Sequence, residues 1–206
     1  MKMRKAVGLV VLALALGAGT ASASVSEGRN CGKVSVGYQG QDLMGINNFS
    51  DTSSIGLGAL NGLSVRSWVT NQVGIEGNLY VGNWKNNEGD GEETNEVSVL
   101  LGTVKGLWAP VVRENSRFYV GLEVGFGSYD QQNVSGPDEG SADNGIYIVK
   151  PLIGVEYNFA GIPELGINFE VGYLFAGVHW DEQAYELDAK STMSGTSVGL
   201  GAHYYF

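Results

Sequence analysis

The chain has 206 residues, 22 acidic side chains against 12 basic ones, a net charge of −10, 32 glycines and one cysteine. That length suits one domain. A single cysteine excludes an internal disulfide framework, and the acidic balance argues against nucleic acid as a partner.

The N terminus opens with Lys2, Arg4 and Lys5, continues through an apolar stretch from Ala6 to Gly19, and reaches Ala21-Ser22-Ala23. A basic start, a short apolar run and an A-x-A site predict a secretory signal peptide cleaved after Ala23. The expected organisation is therefore a leader over residues 1–23 and one domain over residues 24–206. Arg29 and Asn30 precede Cys31, which does not fit a lipoprotein site, so Cys31 is expected as a thiol near the first strand. No later stretch approaches the ~18 consecutive apolar residues of a membrane helix. The remainder is either soluble or a barrel.

From there the apolar residues recur at period two, the signature of strands with two unlike faces. Val34, Val36 and Tyr38 share one face of a first short segment, Lys33–Gly40. In Gly62–Val69, Leu63, Val65 and Val69 oppose Ser64, Arg66 and Trp68. Val73–Gly82 sets Val73, Ile75, Leu79 and Val81 against Gly74, Glu76, Asn78 and Tyr80. The fourth segment, Asn95–Leu107, does not alternate cleanly, because Leu100 and Val104 share a face with Ser98 and Gly102. Its register, and with it the placement of Lys105, stays open.

Three more segments follow the rule. Arg117–Gly127 opposes Phe118, Val120, Leu122, Val124 and Phe126 to Tyr119, Gly121, Glu123 and Gly125. Ile146–Phe159 ends with Ile153, Val155, Tyr157 and Phe159 against Gly154, Glu156 and Asn158. Leu165–Phe175 opposes six apolar residues to Gly166, Asn168, Glu170 and Gly172. The eighth, Ser194–Phe206, puts Val198, Leu200, Ala202, Tyr204 and Phe206 on one face and Ser197, Gly199, Gly201 and His203 on the other. An even number of alternating strands of ~10 residues is what a small transmembrane barrel needs.

The connections alternate as well. Thr70–Gln72, Ala109–Ser116 and Ala160–Glu164 are short; Gln41–Asn61, Asn83–Thr94, Ser128–Gly145 and Ala176–Met193 are long. Short periplasmic turns and long outer loops give this layout, with both termini on the periplasmic side.

The pattern as a whole resembles the OmpA/OmpX-like eight-stranded outer-membrane barrels. The strand–turn–strand unit Leu63–Tyr80 (LSVRSWVTNQVGIEGNLY) is familiar in that family, and Tyr204 and Phe206 resemble the terminal signal read by the outer-membrane barrel assembly machinery. The resemblance implies an all-β fold: an eight-stranded antiparallel transmembrane barrel integral to the outer membrane of a Gram-negative-type bacterium. It implies contact with membrane lipid and lipopolysaccharide, and a monomer. The chain stops at its last strand, so the peptidoglycan-binding domain of longer members is not expected.

In such a barrel Arg66, Glu76, Glu123, Glu156 and Glu170 all face the lumen. If Thr70–Gln72 is a three-residue loop, Arg66 lies opposite Glu76 and the two can pair. Two readings stay open. The interior of an eight-stranded barrel is just wide enough for side chains to fill, which predicts a polar plug joined by Asn78, Asn168, Tyr119 and Tyr205. Alternatively, four acids outnumber the one assured cation and inward glycines leave room, which predicts a narrow cation-preferring pore.

The outer loops concentrate acid, most densely in Asn86–Glu96 (NNEGDGEETNE). Glu88, Asp90, Glu92 and Glu93 could contact a hard cation, lipopolysaccharide through bridging divalent ions, or a basic surface partner. The segment lacks the residue order of an EF-hand, and an acidic loop can simply keep a surface solvated. The aromatic residues near strand ends, Trp84, Trp108, Tyr173, Phe175, Trp180, Tyr204 and Phe206, suit interfacial girdles, whereas Trp68 is expected inside.

Enzymatic signatures are missing. There is no HExxH, CxxC or P-loop, and the expectation is no cofactor and no metal site. A lipid hydrolase of the barrel type needs a serine, a histidine base and an orienting acid. His179 sits in the last outer loop without a His-x-Ser arrangement, and His203 falls near the periplasmic end. The expected function is a non-enzymatic structural and surface-interaction role, with the pore as the alternative and lipid hydrolysis third.

Overall fold

A computed structural model of the chain describes residues 30–48, 59–88, 93–133, 144–180 and 189–206; the expected leader and the centres of the long loops lie outside them. Eight strands form one closed barrel in which each pairs antiparallel with its sequence neighbour and the last returns to the first. They are β1 (Val34–Asn48), β2 (Leu60–Trp68), β3 (Val73–Glu88), β4 (Glu93–Val112), β5 (Ser116–Asn133), β6 (Asn144–Phe159), β7 (Ile162–Trp180) and β8 (Ala189–Tyr205). Closure leaves no unpaired edge, which lipid requires because it offers backbone groups no hydrogen-bond partner.

Each predicted segment lies in one of these strands apart from at most one residue at the turn end, but most strands run further at the loop end. β4 spans 20 residues and β7 spans 19, where ~9–11 tilted residues cross a bilayer. The extra length is polar: β3 and β4 stay in register through Lys85↔Glu96, Asn86↔Asn95, Asn87↔Thr94 and Glu88↔Glu93. Much of what reads as loop by composition is therefore paired wall standing beyond the apolar belt. Local polarity hides this, because a ladder outside lipid does not need an apolar face.

The belt itself is the alternate apolar row. Leu63, Phe126, Leu200 and Phe206 are 60–71% exposed, an arrangement stable only against lipid. Trp108, Tyr173, Phe175 and Tyr204 also face outward. Tyr204 packs edge-on against Phe206, and Tyr173 against Phe175. On the loop side the belt ends in hydrogen-bonded polar residues: Tyr38 donates to Asn61, and Ser98 to Asn83 at 2.6 Å.

The short connections sit together at the other end, with both strand termini of the barrel. Val73 N–H donates to Thr70 Oγ1 at 2.9 Å, and Thr70 N–H to the Val73 carbonyl at 3.1 Å, which fixes the β2–β3 turn and sets Arg66 opposite Glu76. Register shifts fall between Trp108 and Val111, around Pro110, which has no N–H to give the ladder. Ahead of β1, Asn30 and Gly32 take positive φ angles. They turn the chain so that Gly32 N–H meets the Trp68 carbonyl at 2.9 Å and Asn30 Nδ2 the Pro163 carbonyl at 3.0 Å. Cys31 bridges to Trp68 in parallel, its thiol 3.8 Å from the Val69 carbonyl oxygen.

Candidate functional site

The chemistry of the described residues is concentrated in the lumen. One register row crosses five neighbouring strands with alternating charge: Arg66 on β2, Glu76 on β3, Lys105 on β4, Glu123 on β5 and Lys150 on β6. A second row sets Arg117 opposite Glu156. Each of these side chains is buried.

Further contacts span the barrel. Arg66 pairs with Glu76, reaches Glu156 at 2.6 Å and meets Glu170 at 3.1 Å. Lys105 lies 2.7 Å from both Glu76 and Glu170. Lys150 pairs with Glu123 at 2.5 Å, and Arg117 with Glu156 at 3.3 Å. Neutral groups complete the shell: Tyr119 and Tyr205 donate to Glu170 and Glu156 at 2.8 Å, Thr103 to Glu123 at 2.7 Å, and Asn168 to Gln39 at 2.9 Å. Burying ions is unfavourable unless partners surround them, and these carboxylates each have a cation within contact.

The expectation of an acid excess does not hold. Arg66, Lys105, Arg117 and Lys150 match Glu76, Glu123, Glu156 and Glu170 among the described residues. Arg117 and Lys150 share the parity of Tyr119 and Glu156, so counting along their strands would have found them. Lys105 could not be found that way. Its strand carries Val99 and Leu101 inward at one end and Leu107 and Ala109 at the other, which blurs the two-faced pattern.

Those inward apolar residues have a reason. The ionic layer lies between two buried apolar layers. At the loop end Leu60, Tyr80, Leu101, Ile148, Leu174 and Met193 pack together. At the turn end Trp68, Leu107, Tyr119, Leu152 and Tyr205 do so, with the Arg117 guanidinium 4.8 Å from the Trp68 ring. The inward glycines do not leave open room either. A Cβ on Gly154 would meet the Tyr119 ring at 2.6 Å, and one on Gly74 the Trp68 ring at 2.8 Å. Those two glycines are seats for aromatic rings, while Gly121, Gly125, Gly172, Gly199 and Gly201 are closed off by other side chains and by backbone.

The remaining candidates lie elsewhere. His203 Nε2 is 2.8 Å from Ser64 Oγ, a buried serine–histidine contact. A triad needs an acid on the other ring nitrogen, and His203 Nδ1 has no hydrogen-bond partner there. His179 stands opposite Lys190 near the loop end of β7. Glu88 and Glu93 close the β3–β4 ladder, while Asp90 and Glu92 lie outside the described residues. Tyr204 and Phe206 are outward at the turn end. No group of three His, Cys, Asp or Glu among the described residues is placed to hold a metal.

A closed antiparallel barrel with an apolar outer belt and a packed ionic interior defines an integral outer-membrane barrel protein. Three solved structures share its fold. The attachment invasion locus protein Ail of Yersinia pestis is 16% identical with a TM-score of 0.50, over 84% of this chain and 97% of Ail. OprG of Pseudomonas aeruginosa is 15% identical with a TM-score of 0.56, over 87% and 98%. The outer membrane protein AlkL is 14% identical with a TM-score of 0.52, over 89% and 94%. No protein-family profile matches the chain, and no curated relative does. The fold is that of the OmpA/OmpX-like eight-stranded outer-membrane barrels.

Proposed function

We propose that this protein is a non-enzymatic barrel whose lumen is a structural plug and whose working surface is the acidic wall and loops at its loop end. The observation that carries the reading is the charge-matched ionic layer between two apolar layers. An ion entering it would have to break paired buried charges, which is strongly unfavourable. The strand length beyond the apolar belt supports the other half, because it lifts Glu88, Glu93 and Glu96 clear of the bilayer on a paired scaffold.

The acid selects among partners. Ail has been solved with the heparin analogue sucrose octasulfate; a chain of net charge −10 repels such a polyanion. Divalent cations bridging to lipopolysaccharide phosphates, or a basic surface partner, suit it better. Export through a leader over residues 1–23, recognition of Tyr204 and Phe206 by the barrel assembly machinery, and a monomeric state belong to the same proposal.

The test is single-channel recording of refolded protein in a planar bilayer under a salt gradient. The expected result is a silent membrane around a barrel that migrates as folded on a gel. Discrete cation-selective steps that shrink in Glu123→Gln would replace the plug by a pore. Deleting residues 86–96 should then reduce envelope integrity or surface binding; no change in either removes the loop-end role.

A further inference from the structure

The apolar belt is not of equal height around the barrel. On β5 its outward row runs from Phe118 to Phe126, and on β3 from Val73 to Val81. On β1 the row holds Val34, Val36 and Tyr38 and then meets Gly40 and Asp42. On the adjoining β2 it stops at Leu63, and the next outward residue is Asn61. Asp42 lies as far along β1 from Val34 as Phe126 lies from Phe118 and Val81 from Val73. The polar boundary therefore dips at β1 and β2. The step from Tyr38 to Asp42, at ~3.3 Å per residue on a strand tilted ~40°, makes the dip about 10 Å deep.

The dip has a built floor. Gly40 faces outward between Asn61 on β2 and Leu200 on β8. A Cβ there would stand 3.4 Å from the Tyr38 hydroxyl and 3.5 Å from its ring, so the phenol lies along the wall over Gly40. Its hydroxyl points toward the loop end and donates to Asn61. That bond leaves the phenol oxygen as an acceptor and the Asn61 amide N–H groups as donors. Beside them Asp42 is exposed, and no hydrogen bond or ion pair holds its carboxylate among the described residues. Thr196 on β8, opposite Met44, is exposed at the loop-side rim.

We propose that this face binds the sugar headgroup of an outer-leaflet glycolipid, with Asp42 and the Asn61 amide holding its hydroxyls against Tyr38. The inference rests on the barrel spanning the outer membrane with its loop end outward, and it is independent of the acidic loop-end role. An ionisable side chain facing lipid is unfavourable without a polar partner at its own depth. A short apolar face draws the polar boundary of the bilayer toward it, which brings headgroups rather than acyl chains to Asp42. The chemistry then selects among headgroups. Val34–Asp42, Asn61–Val69 and Thr196–Phe206 place no Lys or Arg outward, so a phosphate meets no cation there and is repelled by Asp42. Sugar hydroxyls donate to a carboxylate and accept from an amide, and the apolar side of a sugar ring suits a tyrosine lying along the wall.

The test is lipid retention by the refolded protein, read by native mass spectrometry. The protein is mixed with equal amounts of lipid A, lipid A freed of its phosphates, phosphatidylethanolamine and phosphatidylglycerol. Both glycolipids should be retained over both phospholipids by at least about tenfold, with or without a chelator, as two or more hydrogen bonds would give. Asp42→Leu with Asn61→Leu continues the apolar belt, should leave the fold intact and should abolish the preference. Asn83→Leu, at the belt edge of β3, should leave it unchanged. Deleting residues 86–96 should leave it unchanged too, which separates this site from the loop-end role. Equal retention of phospholipids, a preference that needs phosphate or divalent cation, or one that survives the double substitution would each overturn the proposal. A dimer in place of bound lipid, removed by the double substitution, would overturn it by giving the face to a second copy.

Discussion

Lys105 on β4 and Glu170 on β7 meet at 2.7 Å across the lumen, and the same ammonium lies 2.7 Å from Glu76 on the adjacent strand. One buried cation thus serves two carboxylates on different strands. Lys105→Met keeps most of the volume and leaves both acids short of a partner. Loss of one member of a buried ionic group costs about 3–5 kcal/mol. Urea unfolding in vesicles, followed by gel migration, should show a fall of that order; a fall below about 1 kcal/mol would mean that the network relaxes around the gap.

Glycines on the two faces of the wall should respond differently. A Cβ at Gly154 collides with the Tyr119 ring at 2.6 Å, whereas one at Gly106 meets nothing within 4 Å. Gly154→Ala should therefore cost about 1–3 kcal/mol through overpacking. Gly106→Ala should stay within about 0.5 kcal/mol of neutral. Equal effects in the same unfolding assay would contradict the tight seating of Tyr119.

Trp68 and Trp108 belong to opposite sides of the wall: the first is fully buried and the second 53% exposed. In variants that retain a single tryptophan, brominated lipid should quench Trp108 strongly and leave Trp68 nearly untouched. Comparable quenching would reverse the register of β2 or β4.

Tyr205 accepts the indole N–H of Trp68 at 3.1 Å and donates to Glu156 at 2.8 Å. Tyr205→Phe removes one hydroxyl and leaves a buried donor and a carboxylate short of a partner. The expected loss is about 1–3 kcal/mol, with a shift in Trp68 emission as its indole loses the bond. An unchanged midpoint and spectrum would show that the hydroxyl is dispensable.

Particular residues show how far periodicity reaches. Glu123 and Glu170 are inward because a glycine lies two residues along on the same face and large apolar side chains fill the other. The β2–β3 turn is short enough to count across, and that count places Arg66 opposite Glu76. Lys105 resists the same treatment, since its strand is apolar on both faces above and below it. The strand extensions past Asn83 and Ser98 resist it too, because polar residues in a ladder outside lipid look like loop.

Composition and alternation alone therefore determined a closed eight-stranded membrane barrel, its lipid face and the four glutamates of its lumen. Side-chain direction in a strand is a local property of period two, and the bilayer enforces it along the whole apolar face. The pairing of those glutamates, the apolar layers that enclose them and the neutrality of the whole were decided only by the tertiary structure. Arg66–Glu156 and Lys105–Glu170 join strands that are not neighbours. Such contacts exist only once the sheet has curled around its interior.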